Sequence, residues 1–229
     1  MSLRKEWTWI GAFGPELMLC AAVARVGVIR SAWWAVWDGE RLHERTHRRL
    51  GPVTATPDRV AVRGVLDLTV DRGTPWSCTT GPIWTRKSPA RVRGTVLGRE
   101  VDLPGLVDES AGRHARETSW WWSCGAGELA DGRAVTWNLV DGLHDGTEES
   151  ERCVWVDGVP AHVPPQAFRG FEGVGGLAFE AVATRARRED YGVLMSDYEA
   201  PFGRFRGELP VGGELARGFG VMERHSARW

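Results

Sequence analysis

The cleanest alternation of apolar and polar positions runs from Arg59 to Asp71. Val60, Val62, Leu66, Leu68 and Val70 fall on one face, and Arg59, Arg63, Asp67, Thr69 and Asp71 on the other. A period of two marks a half-buried β-strand, and Gly64 within it reads as a bulge. Less regular stretches predict strands at Trp7 to Ala12, Leu17 to Arg25 and Val28 to Trp37, and a strand pair from Arg91 to Val101 turned at Gly98. Gly176 to Arg187, Val193 to Tyr198, Gly203 to Leu209 and Gly218 to Trp229 complete the set. Helical periodicity is nearly absent. One short charged helix is compatible with Leu42 to Leu50, and Thr74 to Ala90, rich in Pro, Gly and Ser, reads as irregular or edge structure.

Asp38-Gly39, Asp131-Gly132 and Asp157-Gly158 each separate apolar stretches. The dipeptide supplies the positive φ angles that twisted hairpins need. The middle one turns the stretch from Thr118 to Gly146, in which Thr118, Trp120, Trp122 and Cys124 share one face while Ser119, Trp121 and Ser123 share the other. The returning arm sets Val135, Trp137 and Leu139 against Ala134, Thr136, Asn138 and Val140. Its aromatic surface exceeds what one hairpin buries, so further strands must close over it. The expected fold is all-β, an antiparallel barrel or two packed barrel-like sheets with very little helix. At 229 residues the chain suits one compact unit over residues 1–229 or two barrel-like halves, 1–110 and 111–229.

Composition narrows the partners. Charged residues make up 26% and the formal net charge is −1, so neither nucleic acid nor an anionic membrane exerts a general attraction. No stretch reaches the ~18 to 20 apolar residues of a membrane span. Cys20, Cys78, Cys124 and Cys153 are far apart and form no CxxC pair, which fits reduced, buried thiols in a cytoplasmic protein. Lysine occurs only at Lys5 and Lys87, arginine supplying the remaining positive charge. The 13 tryptophans offer large apolar area at low rotamer cost. They suit either a packed core or a wall that holds an apolar ligand.

Two groups of residues suggest chemistry. His43-Glu44-Arg45-Thr46-His47 matches HExxH, in which two histidines one helical turn apart bind zinc and the glutamate activates water. The short segment and the flanking Arg41, Arg48 and Arg49 speak for a solvated charged turn, so no metal site is assigned. On the last strand Val221, Glu223, His225, Ala227 and Trp229 alternate with Met222, Arg224, Ser226 and Arg228. Glu223 and His225 are thus expected to point inward beside Trp229, where burial would perturb their pKa values and fit them to move protons, or else to be tied structurally to neighbours. The polar face bearing Asn138 lines a cavity or faces solvent, and His144-Asp145 follows in the loop.

The blocks EWTWIGAFGPELMLCAAVARVG, TSWWWSCGAGELADGRAVTWNLVDG, ERCVWVDG, YEAPFGRFRGEL and GFGVMERHSARW are collinear over most of the chain. Together they resemble the bacterial domain of unknown function 2804 family. That family is distantly similar to lipocalin-like (calycin) β-barrels of the carotenoid 1,2-hydratase, tocopherol cyclase and fungal Diels-Alderase type. The resemblance implies one or two antiparallel barrels around an apolar cavity and transfers no catalytic residue. The reading that follows is a hydrophobic small molecule, isoprenoid- or polyketide-like, held by Trp120, Trp122, Trp137, Asn138 and Trp229. Cofactor-independent hydration, cyclisation or isomerisation would then be driven by Glu223 with His225 as its tuning partner. A non-catalytic carrier is the alternative.

Overall fold

In the computed structural model, which describes residues 3–48, 51–144, 146, 149–190, 192 and 195–228, almost every segment is a strand. The first half runs β1 (Arg4–Phe13), β2 (Met18–Val26), β3 (Ile29–Trp37), β4 (Leu42–His47), β5 (Val53–Thr56), β6 (Arg59–Val62), β7 (Leu66–Arg72), β8 (Trp76–Thr80), β9 (Ile83–Val96) and β10 (Arg99–Arg113). The second half runs β11 (Glu117–Leu129), β12 (Ala134–Asp141), β13 (Cys153–Val156), β14 (Val159–His162), β15 (Gly173–Val174), β16 (Leu177–Asp190), β17 (Met195–Leu209) and β18 (Gly213–Arg228). Among the described residues helix is limited to one 3-10 turn, Gly170–Glu172. The three Asp-Gly turns close the β3–β4, β11–β12 and β13–β14 hairpins.

The halves follow one logic. Ten strands form a sheet in the order β4-β3-β2-β1-β10-β9-β7-β6-β5, with β8 paired onto β9, and eight form a second in the order β14-β13-β12-β11-β18-β17-β16-β15. In each half the first strand pairs with the last, β1 with β10 and β11 with β18, so a long-range antiparallel ladder lies mid-sheet. Each sheet curls over a core of its own. Ile10, Leu19, Val36, Val60, Leu68, Val92 and Val107 fill the first, and Trp137, Val154, Leu177, Phe205 and Met222 the second. The opposite faces of the two sheets meet around a third core that includes Trp9, Met18, Trp37, Leu106, Trp122, Trp155, Phe202 and Val221. Full burial of each large apolar side chain contributes about 1.5–3 kcal/mol, so the inter-sheet layer is a major contributor to stability.

Several expectations are corrected. Arg59 to Asp71 is not one bulged strand but the hairpin β6–β7, turned through Arg63-Gly64-Val65 with Gly64 at φ 74°. Val62 pairs with Leu66 and directly paired residues share a face, so the apolar alternation passes through the turn in phase and conceals it. Leu42 to His47 is not helix. It is the edge strand β4, held to β3 by the Asp38-Gly39 turn, and its charged side chains suit an edge; residues 49 and 50 lie outside the described residues. Thr74 to Ala90 is regular, supplying β8 and the start of β9. The segments predicted at Val193 to Tyr198 and Gly203 to Leu209 belong to one long strand, β17, with Val193 outside the described residues.

Candidate functional site

Between the two sheets lies a cavity of about 280 Å³. Its first wall is built by strand parity. Trp9 on β1 pairs with Asp108 on β10, which pairs with Lys87 on β9, so the three lie in one cross-strand row on the face turned to the second sheet. Trp7 and Lys5 precede Trp9 on the same face, and Trp33 reaches in from β3. The second wall has two such rows. Tyr198 on β17, His225 on β18 and Trp120 on β11 form one, and Glu223, Trp122 and Val140 the other. Trp9 and Trp122 meet edge to face across the gap, centroids 5.0 Å apart.

Glu223 is 7% exposed and accepts a 2.9 Å hydrogen bond from Trp120 Nε1. Burial pushes its carboxyl up to about 7, the Trp120 bond pulls it down, the Asp108 carboxylate adds to the rise, and Arg185 opposes it. The Tyr198 hydroxyl also pulls the Glu223 carboxyl down, more weakly than Trp120 does. Burial, with the positive charges of Lys5 and Arg185, holds the His225 imidazole down at about 3. It is therefore neutral, and its 3.9 Å separation from Glu223 Oε1 is not an ion pair. Its Nε2 shares a 2.9 Å hydrogen bond with Ser196 Oγ, and its ring lies 4.4 Å from that of Trp120. His225 thus shapes the site as a neutral polar group.

The facing wall carries a buried charge network. Lys87 Nζ lies 2.5 Å from Asp108 Oδ1 and 3.0 Å from Glu151 Oε2, all three residues being buried. Thr85 donates to Glu151 Oε2 at 3.0 Å, and His144 Nδ1 lies 3.5 Å from the same oxygen. One ammonium cannot neutralise two carboxylates. Burial raises the Asp108 carboxyl against the opposing pull of Lys87, whereas at Glu151 Lys87 and the His144 hydrogen bond outweigh burial and hold the carboxyl low. Each wall of the cavity therefore carries a buried carboxyl whose pKa burial raises, Asp108 beside the Lys87 ammonium and Glu223 among indoles. Arg185 closes its side, joining β16 to β4 through Glu44 (3.1 Å) and Thr46 (2.7 Å), with its guanidinium 4.9 Å over the Tyr198 ring.

The expected site residues divide. Glu223, His225, Trp120 and Trp122 line the cavity. Trp137 does not: it pairs with Gly125, which puts it on the Trp121 side of the hairpin, in the second sheet's own core against Phe205 at 5.0 Å. Asn138 is fully buried and acts behind the wall. Its Oδ1 accepts from Trp122 Nε1 at 2.8 Å and its Nδ2 donates to the Glu151 carbonyl at 2.8 Å, which fixes the indole and anchors the segment carrying Glu151. Trp229 and Asp145 lie outside the described residues. The HExxH residues form no metal site, because strand geometry sets His43 and His47 roughly 13 Å apart along β4 and turns Glu44 to the opposite face. His43 bonds Asp38 at 2.6 Å and Glu44 serves Arg185.

Sequence reasoning missed Lys87, Asp108, Glu151, Arg185, Tyr198, Trp7, Trp9 and Trp33. One signal was present. Lysine occurs twice in the chain, and Lys5 and Lys87 both lie buried at the cavity.

Residues 85–229, more than half of the chain, match the model of the family described as a domain of unknown function (DUF2804). The chain belongs to this family. A search of curated proteins finds no match. Solved structures share the fold of this DUF2804 member at low identity. A putative AttH from Nitrosomonas europaea is 14% identical with a TM-score of 0.53, the alignment covering 96% of this chain and 92% of that one. CghA is 9% identical with a TM-score of 0.56, covering 99% and 88%. Kievitone hydratase from Nectria haematococca is 11% identical with a TM-score of 0.52, covering 96% and 88%. These likenesses establish a lipocalin-like, barrel-type fold. No helix among the described residues is long and apolar enough to cross a membrane.

Proposed function

We propose that the inter-sheet cavity binds an apolar small molecule, isoprenoid- or polyketide-like, and that Glu223 protonates an alkene within it. The observation that carries this reading is the Glu223 carboxyl, buried among Trp120, Trp122 and Tyr198 with its pKa raised to about 7, so that it holds a transferable proton near neutrality. In the step, the alkene π electrons form a C–H bond with the Glu223 proton and leave a carboxylate, which the Trp120 N–H and Tyr198 hydroxyl stabilise. The indole faces of Trp7, Trp9, Trp120 and Trp122 stabilise the carbocation. The cation then adds water, whose proton returns to the Glu223 carboxylate, giving hydration, or loses a carbon-bound proton to a carboxylate, giving isomerisation or, after ring closure, cyclisation. Asp108 on the facing wall is the second carboxyl placed for such a transfer. A hydratase among the proteins of like fold supports the class of reaction.

The test is incubation of apolar isoprenoid and polyketide alkenes with the protein in D₂O, with deuterium incorporation at carbon read by mass spectrometry and binding followed by tryptophan quenching. Wild type should incorporate deuterium, and Glu223→Gln should bind but incorporate at least about a hundredfold more slowly. Incorporation unchanged in the variant would remove Glu223 from the role. Binding without incorporation in wild type would leave a carrier.

A further inference from the structure

Few large apolar side chains stand exposed among the described residues, and Leu3 (43%), Val28 (91%) and Ile29 (47%) do so together. Val26 pairs with Ile29 across the tight β2–β3 turn, so Val28 is its tip. The Gly27 amide donates to the Arg4 carbonyl at 2.9 Å, and a Cβ on Gly27 would lie 3.3 Å from the Leu3 side chain, so Leu3 packs against the same tip. The cavity extends to this end of the sheets: Val26 and Ile29 line it on one wall and Met195, at the start of β17, on the other. The apolar tip is therefore the lip of the cavity.

Charge at the rim departs from the near-neutral balance of the whole chain. Arg25 and Arg30 are paired next to the Val26–Ile29 tip, the Arg4 carbonyl receives the Gly27 amide, and Arg187 and Arg48 meet at Glu189. Arg113 and Arg228 join them, and the carboxylates at this end are Glu6, Glu117, Glu189 and Asp190. Glu6 is shared between Arg4 (3.7 Å) and Arg25 (3.8 Å), and Glu189 between Arg187 (2.8 Å) and Arg48 (3.6 Å), so the arginines are in excess. An exposed apolar tip inside a basic collar has the chemistry of a surface that rests on anionic lipid. The apolar groups enter the headgroup layer while guanidinium groups engage phosphates.

We propose that this rim docks on an anionic phospholipid membrane, with Leu3, Val28 and Ile29 entering the interface and the cavity mouth facing the bilayer. The docking stands on the rim alone. That the membrane is the source of the ligand rests on the reading of the cavity given above.

The experiment is co-sedimentation of the full chain with phosphatidylcholine vesicles, with and without phosphatidylglycerol, at low and high salt. Binding should require phosphatidylglycerol and weaken with salt. A Leu3→Glu/Val28→Glu variant, altered only at exposed positions outside the cavity lining, should keep its unfolding midpoint and bind about tenfold more weakly. Arg30→Glu should weaken binding several-fold by charge alone. Failure to sediment with phosphatidylglycerol vesicles, or undiminished binding by the Leu3→Glu/Val28→Glu variant, overturns the proposal. Tryptophan quenching by apolar ligands in vesicle-free solution reads the cavity separately. A protein that binds vesicles but no apolar ligand supports the rim and overturns the cavity reading.

Discussion

Replacing Glu223 with glutamine should remove the proposed chemistry and at the same time stabilise the protein at alkaline pH. The amide keeps the shape of the protonated acid and can still accept the Trp120 hydrogen bond, but it cannot ionise. Burial raises the Glu223 carboxyl from an ordinary 4.5 to about 7. The residue is 7% exposed, so solvent screening discounts little of that. A difference of roughly 2.5 units corresponds to about 3 kcal/mol of extra cost for ionising the carboxyl inside the fold. The sign follows from linkage. A carboxyl whose folded pKa is raised contributes stability that is fully present below its unfolded value and is lost as pH rises through the folded value. Wild type should lose this increment between pH ~4.5 and ~7, and Glu223→Gln should not. Urea unfolding of both proteins, followed by tryptophan fluorescence, should give a stability difference that shifts toward the variant by about 3 kcal/mol between pH ~4.5 and ~8. Asp108 and His225 are present in both proteins and their contributions largely cancel. The residual coupling between Asp108 and Glu223 acts in the same direction, because loss of the Glu223 charge eases ionisation of Asp108. A difference that stays flat over this range would refute the claim that Glu223 is a buried, proton-holding acid.

Lys87→Met leaves Asp108 and Glu151 buried without their shared cation and should cost about 3–5 kcal/mol in urea unfolding. Adding Asp108→Asn should recover part of that loss, and a double-mutant cycle with strictly additive effects would count against a coupled network. Burial holds His225 neutral with its pKa at about 3. A histidine with a depressed folded pKa contributes stability that is present above its unfolded value and lost as pH falls, so His225→Asn should lose about 2 kcal/mol less than wild type between pH ~6.5 and ~4.5. Equal acid sensitivity of the two proteins would show that His225 protonates freely.

Turn chemistry and last-strand parity were readable because both are local. Asp38-Gly39, Asp131-Gly132 and Asp157-Gly158 specify hairpins wherever apolar strands flank them, and the period of two turned Glu223 and His225 to one side of β18. What stayed hidden depends on register. The β6–β7 turn is masked because Val62 and Leu66 are in phase, and the side Trp137 takes is fixed only by its pairing with Gly125. Gly125 shows why the register is strict: a Cβ there would lie 2.3 Å from the Trp137 ring and 2.5 Å from the Phe219 carbonyl. The charged wall was hidden for a different reason. Lys87, Asp108 and Glu151 come from three separated segments and meet only when β9, β10 and the approach to β13 are folded together. Their one sequence trace is the rarity of lysine.

The site lies between the sheets because each sheet has already filled its own interior. Aliphatic residues of β1 to β10 close the first core, and Trp137, Phe205 and their neighbours close the second. The layer between them could have packed just as tightly, since Trp9, Trp37, Trp122, Trp155 and Phe202 meet there. Instead the same faces carry Lys87, Asp108, Glu151, Arg185 and Glu223. Exchanging a buried ion cluster for apolar residues of similar volume is often neutral or stabilising by about 1–4 kcal/mol. Packing alone therefore does not account for these groups, and all five line the cavity. Carboxyls on facing walls, one beside an ammonium and the other among indoles, titrate in different environments, and that difference is what an acid and its complementary base require in one small space.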